Sequence, residues 1–440
     1  MTGSIKPWLA RAAYSLLLRV ATPAYFARLW WRGGREPLYR SAWAERLGGG
    51  AGPSPAQGRL WVHAVSLGET RAAAALIDAL REQRPGLRLL LTHGTATGRE
   101  AGRALLHDGD AQAWLPYDTP GAVQRFLRRH RPALGVLMET EIWPNLLAAT
   151  RAAGVPVVLA NARLSARSQA KGRRLRALMQ PALEGLTRTL AQTEADAARL
   201  RESGVAAVQV MGNLKFDMRP APALLARGAA WRQAVGRAVV MMAASREGEE
   251  AALLQAWSAL PVPRPLLLIV PRHPQRFDEV AALVTAQGLS MRRRSGWTEA
   301  PPADAASADV WVGDSLGEMP LYYALAGVAL LGGSFAPLGG QNLIEAASCG
   351  CPVLMGPHTF NFAAAADDAI AAGAAERVPD LPSAVQRAVE QAADGDAAAG
   401  RARQTRARAF ATLHRGAAAR MAASVLELLD AAAGGVMPGT

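Results

Sequence analysis

The segment WVHAVSLGET (residues 61–70) runs from apolar residues into His63, Ser66, Gly68 and Glu69. A carboxylate just past the carboxyl end of a buried strand is placed to take a proton from an attacking hydroxyl. Gly68 lets a ligand or backbone come close. Glu69 can equally be only a charge partner for the N-terminus of the helix it opens, worth a few tenths of a kcal/mol. The stretch LTHGTATG (91–98) also follows an apolar run, and its Thr95 and Gly98 suit a loop touching a polyhydroxyl or phosphate ligand. In METEIWPN (138–145), Glu139 and Glu141 flank a strand end. Such carboxylates are rarely core residues. They either pair with an arginine such as Arg163 of NARLSARS (161–168) or bind a ligand.

The second half offers anion chemistry. IVPRHPQRF (269–277) sets Arg272 and His273 between two prolines. Arg272 can grip a phosphate through two hydrogen bonds, or be a surface arginine in a rigid turn. GDSLGEMP (313–320) brings Gly317 and Glu318 to another post-strand loop. In LLGGSFAPLGGQNLIEAASCGCPVLMGP (330–357), a buried strand leads to Gly332-Gly333, and Gly339-Gly340 precede a helix opening at Gln341-Asn342. The free N–H groups of such a helix end form an anion site, with Glu345 one turn deeper to accept from ribose hydroxyls. Asn342 and Glu345 as a plain capping pair is the alternative. The seven histidines are scattered, with no metal-ligand spacing. Asp108-Gly109-Asp110 reads as a solvated loop. No GxGxxG or Walker loop is present, against nicotinamide and P-loop chemistry.

The elements that must hold these residues alternate. Apolar runs at 60–62, 87–91, 134–138, 156–160 and 188–191 read as buried parallel strands, with alanine-rich helices such as 70–83 and 121–130 between them. The rhythm resumes at 238–243, 265–270, 310–312, 328–332 and 352–355. The fold class expected is α/β: two Rossmann-like, doubly wound domains with the site in a cleft between them. The boundaries are an N-terminal helix over 1–32, a first domain over 33–211, a proline-bearing linker over 212–228, a second domain over 229–400, and a C-terminal helix and tail over 401–440. GGGAGPSPAQG (48–58) separates the first helix from the rest.

Half of the 440 residues are hydrophobic and 19% are charged, which excludes a disordered chain. The net charge is +13 and nearly all of it is arginine, the lysines being Lys6, Lys171 and Lys215. This points to an anionic partner: nucleic acid, an acidic membrane surface or phosphorylated small molecules. Cys349 and Cys351 are too close in sequence to pair readily, and a reducing compartment is expected. Residues 8–31 are apolar and aromatic but broken by Arg11, Arg19, Arg28 and Pro23, too interrupted to span a bilayer. They suit an interfacial helix with snorkelling arginines, or a helix packed on the body.

Assembled, these blocks resemble the 3-deoxy-D-manno-octulosonic acid (Kdo) transferases of lipopolysaccharide synthesis. The resemblance runs over nearly all of residues 5–430. It is carried by HAVSLGE (63–69), ETEIWPNLL (139–147), NARLSARS (161–168), GNLKFD (212–217), PRHPQRF (271–277), GDSLGEM (313–319) and GGQNLIEAASCGCPVLMGP (339–357). It implies a GT-B fold and an N-terminal membrane anchor at the cytoplasmic face of the inner membrane. It also implies CMP-Kdo as donor co-substrate, the tetraacylated lipid A precursor as acceptor, and no nucleic-acid partner. Glu69 would be the general base of an inverting transfer that needs no metal or other cofactor. Ser245, Arg272, His273, Gly317, Glu318, Met319, Gly333, Asn342 and Glu345 would bind the donor. Ser66, Gly68, Thr95, Gly98, Glu139 and Arg163 would serve the acceptor. Two blocks depart: Ala244-Ser245-Arg246 stands where the family usually has Ser-Thr-His, and LTHGTATG (91–98) differs from the threonine-rich form common there. The competing readings are a GT-B enzyme using a UDP-sugar, and a basic membrane-surface or nucleic-acid scaffold.

Overall fold

A computed structural model describes residues 6–50, 58–393 and 397–434, and these fall into two compact units. The first contains residues up to 218 together with 415 onward, and the second contains 219–414.

The first unit is built on a parallel sheet of seven strands in the order β3-β2-β1-β4-β5-β6-β7. They are β1 (Leu60–His63), β2 (Leu89–His93), β3 (Ala111–Trp114), β4 (Leu134–Met138), β5 (Val157–Ala162), β6 (Arg188–Ala191) and β7 (Val208–Val210). In register, Val62 lies opposite Leu91 on β2 and Val136 on β4. Helices cover both faces, so the central strands are apolar throughout. One face packs Leu60, Val62, Val136 and Val158 against the helix Leu67–Gln83. The other packs Trp61, Leu137 and Leu159 against Phe126 and Leu147.

The second unit also has a seven-stranded parallel sheet, in the order β10-β11-β9-β8-β12-β13-β14, with β11 inserted between β9 and β10. Its strands are β8 (Val239–Ser245), β9 (Leu266–Pro271), β10 (Met291–Arg293), β11 (Val310–Val312), β12 (Val328–Leu331), β13 (Val353–Met355) and β14 (Ala375–Arg377). The four strands that the apolar runs did not predict, β3, β7, β10 and β14, are the four edge strands. Their sequences AQAW, VQV, MRR and AER are only partly buried, so no continuous apolar run marks them.

Two expectations need correction. The C-terminal pattern is two helices, Ala397–Leu413 in the second unit and Ala417–Ala433 in the first. Met421, Val425 and Leu428 of the latter are part of the core over β1 and β4. Within the expected first domain, Pro37–Arg40 and Trp43–Arg46 form two short helical turns, and the separating stretch 48–58 falls mostly outside the described residues. Tyr39 and Arg46 are buried, and the Arg46 guanidinium lies 3.9 Å from the Trp114 ring centroid; residues 51–57 lie outside the described residues. Finally, Asp110 is not solvated: it pairs with Arg81 and accepts from the Leu89 and His107 N–H groups at 2.7 and 2.8 Å.

The N-terminal helix is Pro7–Arg32. It docks by a narrow stripe: Tyr14 Oη donates to Asp118 at 3.0 Å, Ser15 Oγ to Asn145 at 3.1 Å, and Tyr25 packs edge-on to Tyr117. The opposite side exposes Trp8, Leu16, Leu17, Val20, Trp30 and Trp31. Among the described residues, no helix is long and apolar enough to cross a membrane.

Candidate functional site

The strand order turns outward in both directions from β1 beside β4 in the first unit and from β8 beside β12 in the second. The crevice outside the carboxyl ends at such a point is where α/β sheets bind ligands. The motifs singled out from sequence emerge there.

In the first unit, β1 runs into Val65-Ser66, and Ser66 caps the helix Leu67–Gln83. The cap is reciprocal. Ser66 Oγ accepts from the Glu69 N–H at 3.4 Å and donates to Glu69 Oε1 at 2.9 Å, while Glu69 Oε2 accepts from the Val65 N–H at 2.9 Å. Glu69 is therefore a helix-capping acid, and one whose carboxylate oxygens each keep a lone pair for a substrate proton. Burial raises its pKa above the usual carboxylate value. The bonds from Val65 and Ser66 oppose that shift, and the charges of Glu141 and Glu139 add to it.

β4 delivers those two acids. Glu139 has φ +57°, a left-handed conformation that is strained for a side chain of its size. Its carbonyl accepts from the Arg163 N–H at 3.3 Å, but its carboxylate pairs with Lys215 at 3.5 Å. Glu141 Oε2 accepts from Trp143 Nε1 at 2.7 Å and lies 3.7 Å from Nε2 of the fully buried His63. The pairing of these acids with Arg163 expected from sequence is thus replaced by Lys215 for Glu139 and by Trp143 and His63 for Glu141. Arg163 instead lines a cavity, described below. Lys215 was missed as a site residue, although GNLKFD was singled out.

Thr95 and Gly98 stand against the loop that carries Ser66 and Glu69. Thr95 Oγ1 donates to the Val65 carbonyl at 3.0 Å, and a Cβ added at Gly98 would lie 2.9 Å from that carbonyl. They hold Ser66 and Glu69 in place. Gly68 is exposed on the same turn. Arg99 is spent on Glu45 at 2.7 Å and on the face of Trp114.

In the second unit, Ala244, one residue before the end of β8, has φ +55°, and the register with β9 shifts there. Ser245 is wholly buried and donates to Glu250 at 2.7 Å, and Arg276 pairs with the same carboxylate at 2.6 Å. The Ser245 hydroxyl is therefore engaged within the loop, by a buried acid that sequence reasoning did not use. Gly333, at φ +70°, gives its N–H to both oxygens of Glu249 at 2.8 Å, so that amide is already satisfied within the chain. Glu318 is tied to Arg227, to Arg294 at 2.9 Å and to Ser315 at 2.6 Å, which makes it a brace for the loop carrying Gly317 and Met319. GDSLG (313–317) has the Gly-x-Ser-x-Gly spelling of a nucleophile turn, yet Ser315 bonds to Glu318 and Tyr322 and not to a histidine.

What remains open is cationic. Arg246 and Arg272 carry no ion pair among the described residues, and Arg272 and His273 are exposed. Burial lowers the His273 pKa, and Arg272, Arg246 and Arg276 lower it further, so the four side chains share one neighbourhood. Arg272 and Glu345 both act on the buried Tyr323, which brings the 271–277 and 339–357 blocks together. Asn342 Oδ1 accepts from the Ile344 N–H at 3.2 Å and caps the helix Leu343–Ser348. The capping alternative therefore holds at Asn342, while half-buried Glu345 lies in the first turn. Gly339 and Gly340, at φ +89° and +74°, form the approach.

A family model described as 3-deoxy-D-manno-octulosonic-acid transferase (kdotransferase) matches residues 41–218. The 3-deoxy-D-manno-octulosonic acid transferase of Bordetella pertussis is 50% identical over 426 residues, covering 94% of this chain and 98% of the relative. That of Haemophilus influenzae is 34% identical over 390 residues, covering 86% and 90%. Among solved structures, a glycosyltransferase from Rickettsia africae superposes with a TM-score of 0.56 at 11% identity, covering 86% of this chain and 99% of that one. A putative UDP-N-acetylglucosamine 2-epimerase from Listeria monocytogenes gives 0.55 at 13% identity, covering 86% and 97%. These distant neighbours share the two-sheet GT-B fold. With half of its residues identical to a relative it covers almost end to end, the chain belongs to the 3-deoxy-D-manno-octulosonic acid transferase family.

Proposed function

We propose that this enzyme transfers Kdo from CMP-Kdo to the tetraacylated lipid A precursor, with inversion and without a metal, and that Glu69 is the general base. The observation that carries the mechanism is the Glu69 carboxylate. It is half-buried, raised in pKa, and held by Val65 and Ser66 at the β1/β4 crevice. The acceptor hydroxyl gives its proton to Glu69 as its oxygen bonds to the anomeric carbon. The bond from that carbon to the phosphate oxygen breaks, and CMP leaves with the electron pair. One displacement inverts the centre. A positioned base of this kind contributes about 10²–10⁴-fold. Arg272 and Arg246 offer charge to the departing phosphate, which is the role a metal plays elsewhere, while the lowered pKa of His273 leaves its ring a hydrogen-bonding group rather than a cation.

The exposed apolar side of the helix Pro7–Arg32 supports a place on the anionic cytoplasmic surface of the inner membrane, with Arg11, Arg19 and Arg28 reaching headgroups.

Mass spectrometry of the product from lipid A precursor and CMP-Kdo in excess EDTA tests the assignment. Kdo-bearing product from the parent and little from Glu69→Gln, with CMP binding kept, is the expected result. Full turnover by Glu69→Gln removes the base, and loss in EDTA restored by Mg²⁺ removes the metal-free scheme. Nucleotide release from UDP-sugars in place of CMP-Kdo would favour the UDP-sugar reading.

A further inference from the structure

A cavity of ≈ 770 Å³ in the first unit lies outside the base and its capping loop. Its lining has two characters. Leu159, Met179 and Leu183 give an apolar floor, and half-buried Arg163 with exposed Arg173, Arg176 and Arg201 are the cations around it. Such a volume is that of a ligand pocket. The helix Ala166–Arg174 that walls it buries only Gln169, and Arg167, Lys171, Arg173 and Arg174 crowd its exposed side. The acids facing this group are Glu202, 3.4 Å from Arg173 and shared with Gln169, Glu194, 3.9 Å from Arg201, and Glu139, which is paired with Lys215. Arg176 donates to Gln180 at 2.8 Å, and the Arg163 guanidinium makes no hydrogen bond or ion pair among the described residues. The positive charge at the mouth is therefore left largely unanswered within the chain.

Two further contacts give the cavity an address. Its wall Arg176–Leu183 packs beside the N-terminal helix, the element that exposes Trp8, Leu16, Leu17 and Trp30. Its other end is Glu139, the strained residue whose charge acts on Glu69. Hydrocarbon on one side and anion on the other, between an apolar outer surface and the base, select an amphiphile with a phosphate beside its acyl chain.

We propose that this cavity takes one acyl chain of the acceptor, with an acceptor phosphate on Arg163 and Arg176. The inference rests on the acceptor assigned above. A phosphate there meets unpaired guanidinium donors, and an acyl chain covers Met179 and Leu183, which the fold leaves half-buried.

Photo-crosslinking to the full chain in detergent micelles, with the tetraacylated phosphorylated disaccharide carrying a diazirine on one acyl chain, reads occupancy without turnover. Label on Arg176–Leu183, displaced by unlabelled acceptor and not by excess phosphatidylglycerol, is the expected result. Label elsewhere, or equal displacement by phosphatidylglycerol, overturns the proposal, the latter in favour of a bilayer lipid. Kinetically, Met179→Trp fills the floor. It should raise the acceptor KM about tenfold, leave the CMP-Kdo KM unchanged, and make no difference with a deacylated acceptor. Arg163→Gln, which leaves the floor intact, should raise KM for the phosphorylated acceptor and not for its dephosphorylated form. Unchanged KM in both variants, or equal rises on the control acceptors, also overturns it. A parent enzyme that transfers no Kdo to the acylated disaccharide would instead sink the acceptor assignment, and the label would still report what the cavity holds.

Discussion

Glu139 Oε1 and Lys215 Nζ lie 3.5 Å apart, both side chains less than a fifth exposed, and the pair joins the strained residue after β4 to the GNLKF segment. Its consequence falls on Glu69, whose pKa the Glu139 charge already helps to raise. Lys215→Met removes the neutralising cation, so Glu69 should hold its proton to higher pH. A general base works ionised, and the rate therefore falls as pH drops through its pKa. The acid limb of kcat/KM against pH should lie above the ordinary carboxylate range in the parent and move further up in Lys215→Met. A limb at the same pH in both would detach Lys215 from the base.

The same shift bears on stability with the opposite benefit. A carboxyl whose folded pKa exceeds its unfolded value favours folding at low pH, and that contribution is lost as pH rises through the folded pKa. At pH 7 the ionised Glu69 is thus a cost that the active site sustains. Glu69→Gln should unfold no earlier than the parent in urea at pH 7, while losing about 10²–10⁴-fold in kcat. Marked destabilisation would mean that the carboxylate serves chiefly as a cap.

What could be read without coordinates follows from what each residue type advertises. Central strands such as LLLTH and LGVLM are buried on both faces and announce themselves as apolar runs. Edge strands such as MRR and AER cannot. Glu69 was legible because a strand, a serine and a glycine precede it in one short block. Its neighbours were not, because Lys215 reaches Glu139 and Arg276 reaches Glu250 across the fold. Side-chain partners distant in sequence leave no local spacing. For the same reason the bracing contacts of Ser245, Thr95 and Gly98 within the loops that carry them were not legible.

Gly98 offers a test of that bracing. An alanine there would press its methyl against the Val65 carbonyl at 2.9 Å, and Val65 supplies the N–H that orients Glu69. Displacing a catalytic group by an ångström can cost about 10²-fold. Gly98→Ala should lower kcat by at least tenfold with the CMP-Kdo KM unchanged. A raised acceptor KM at unchanged kcat would return Gly98 to the role of a direct acceptor contact.

Glu250 is fully buried, and Ser245 and Arg276 both bond to one of its oxygens. Breaking a buried pair by removing one partner costs about 3–5 kcal/mol. Glu250→Ala should fall near the lower end, since Arg276 keeps Glu279 at 2.9 Å. Urea unfolding should show the loss, and isothermal titration should show weaker CMP binding as the Ser245-Arg246 turn loosens. Glu279→Gln, on the exposed side of the same arginine, should leave the midpoint where it is.

The C-terminal helix Ala417–Ala433 allows a sharper test, because its partners lie at the other end of the chain. Asp217 accepts from the Gly416 and Ala418 N–H groups at 2.6 and 2.7 Å and so fixes where the helix starts. Arg188 reaches Glu427 at 2.8 Å and Arg84 reaches Asp430 at 2.6 Å. These exposed pairs set register more than they add stability. The stabilisation comes from Met421, Val425 and Leu428, packed with Leu60, Leu76 and Val136. Met421 is fully buried, and cutting it to alanine should cost about 2–5 kcal/mol. Leu413→Ala, at an 80% exposed position of the preceding helix, should cost nothing measurable. Ending the chain after His414 keeps every strand of the first sheet and removes this cover. Hydrogen exchange should then find β1 and β4 unprotected while β8 and β9 stay slow. Equal protection of β1 and β4 in the truncated chain would show that the helix only decorates a core complete without it.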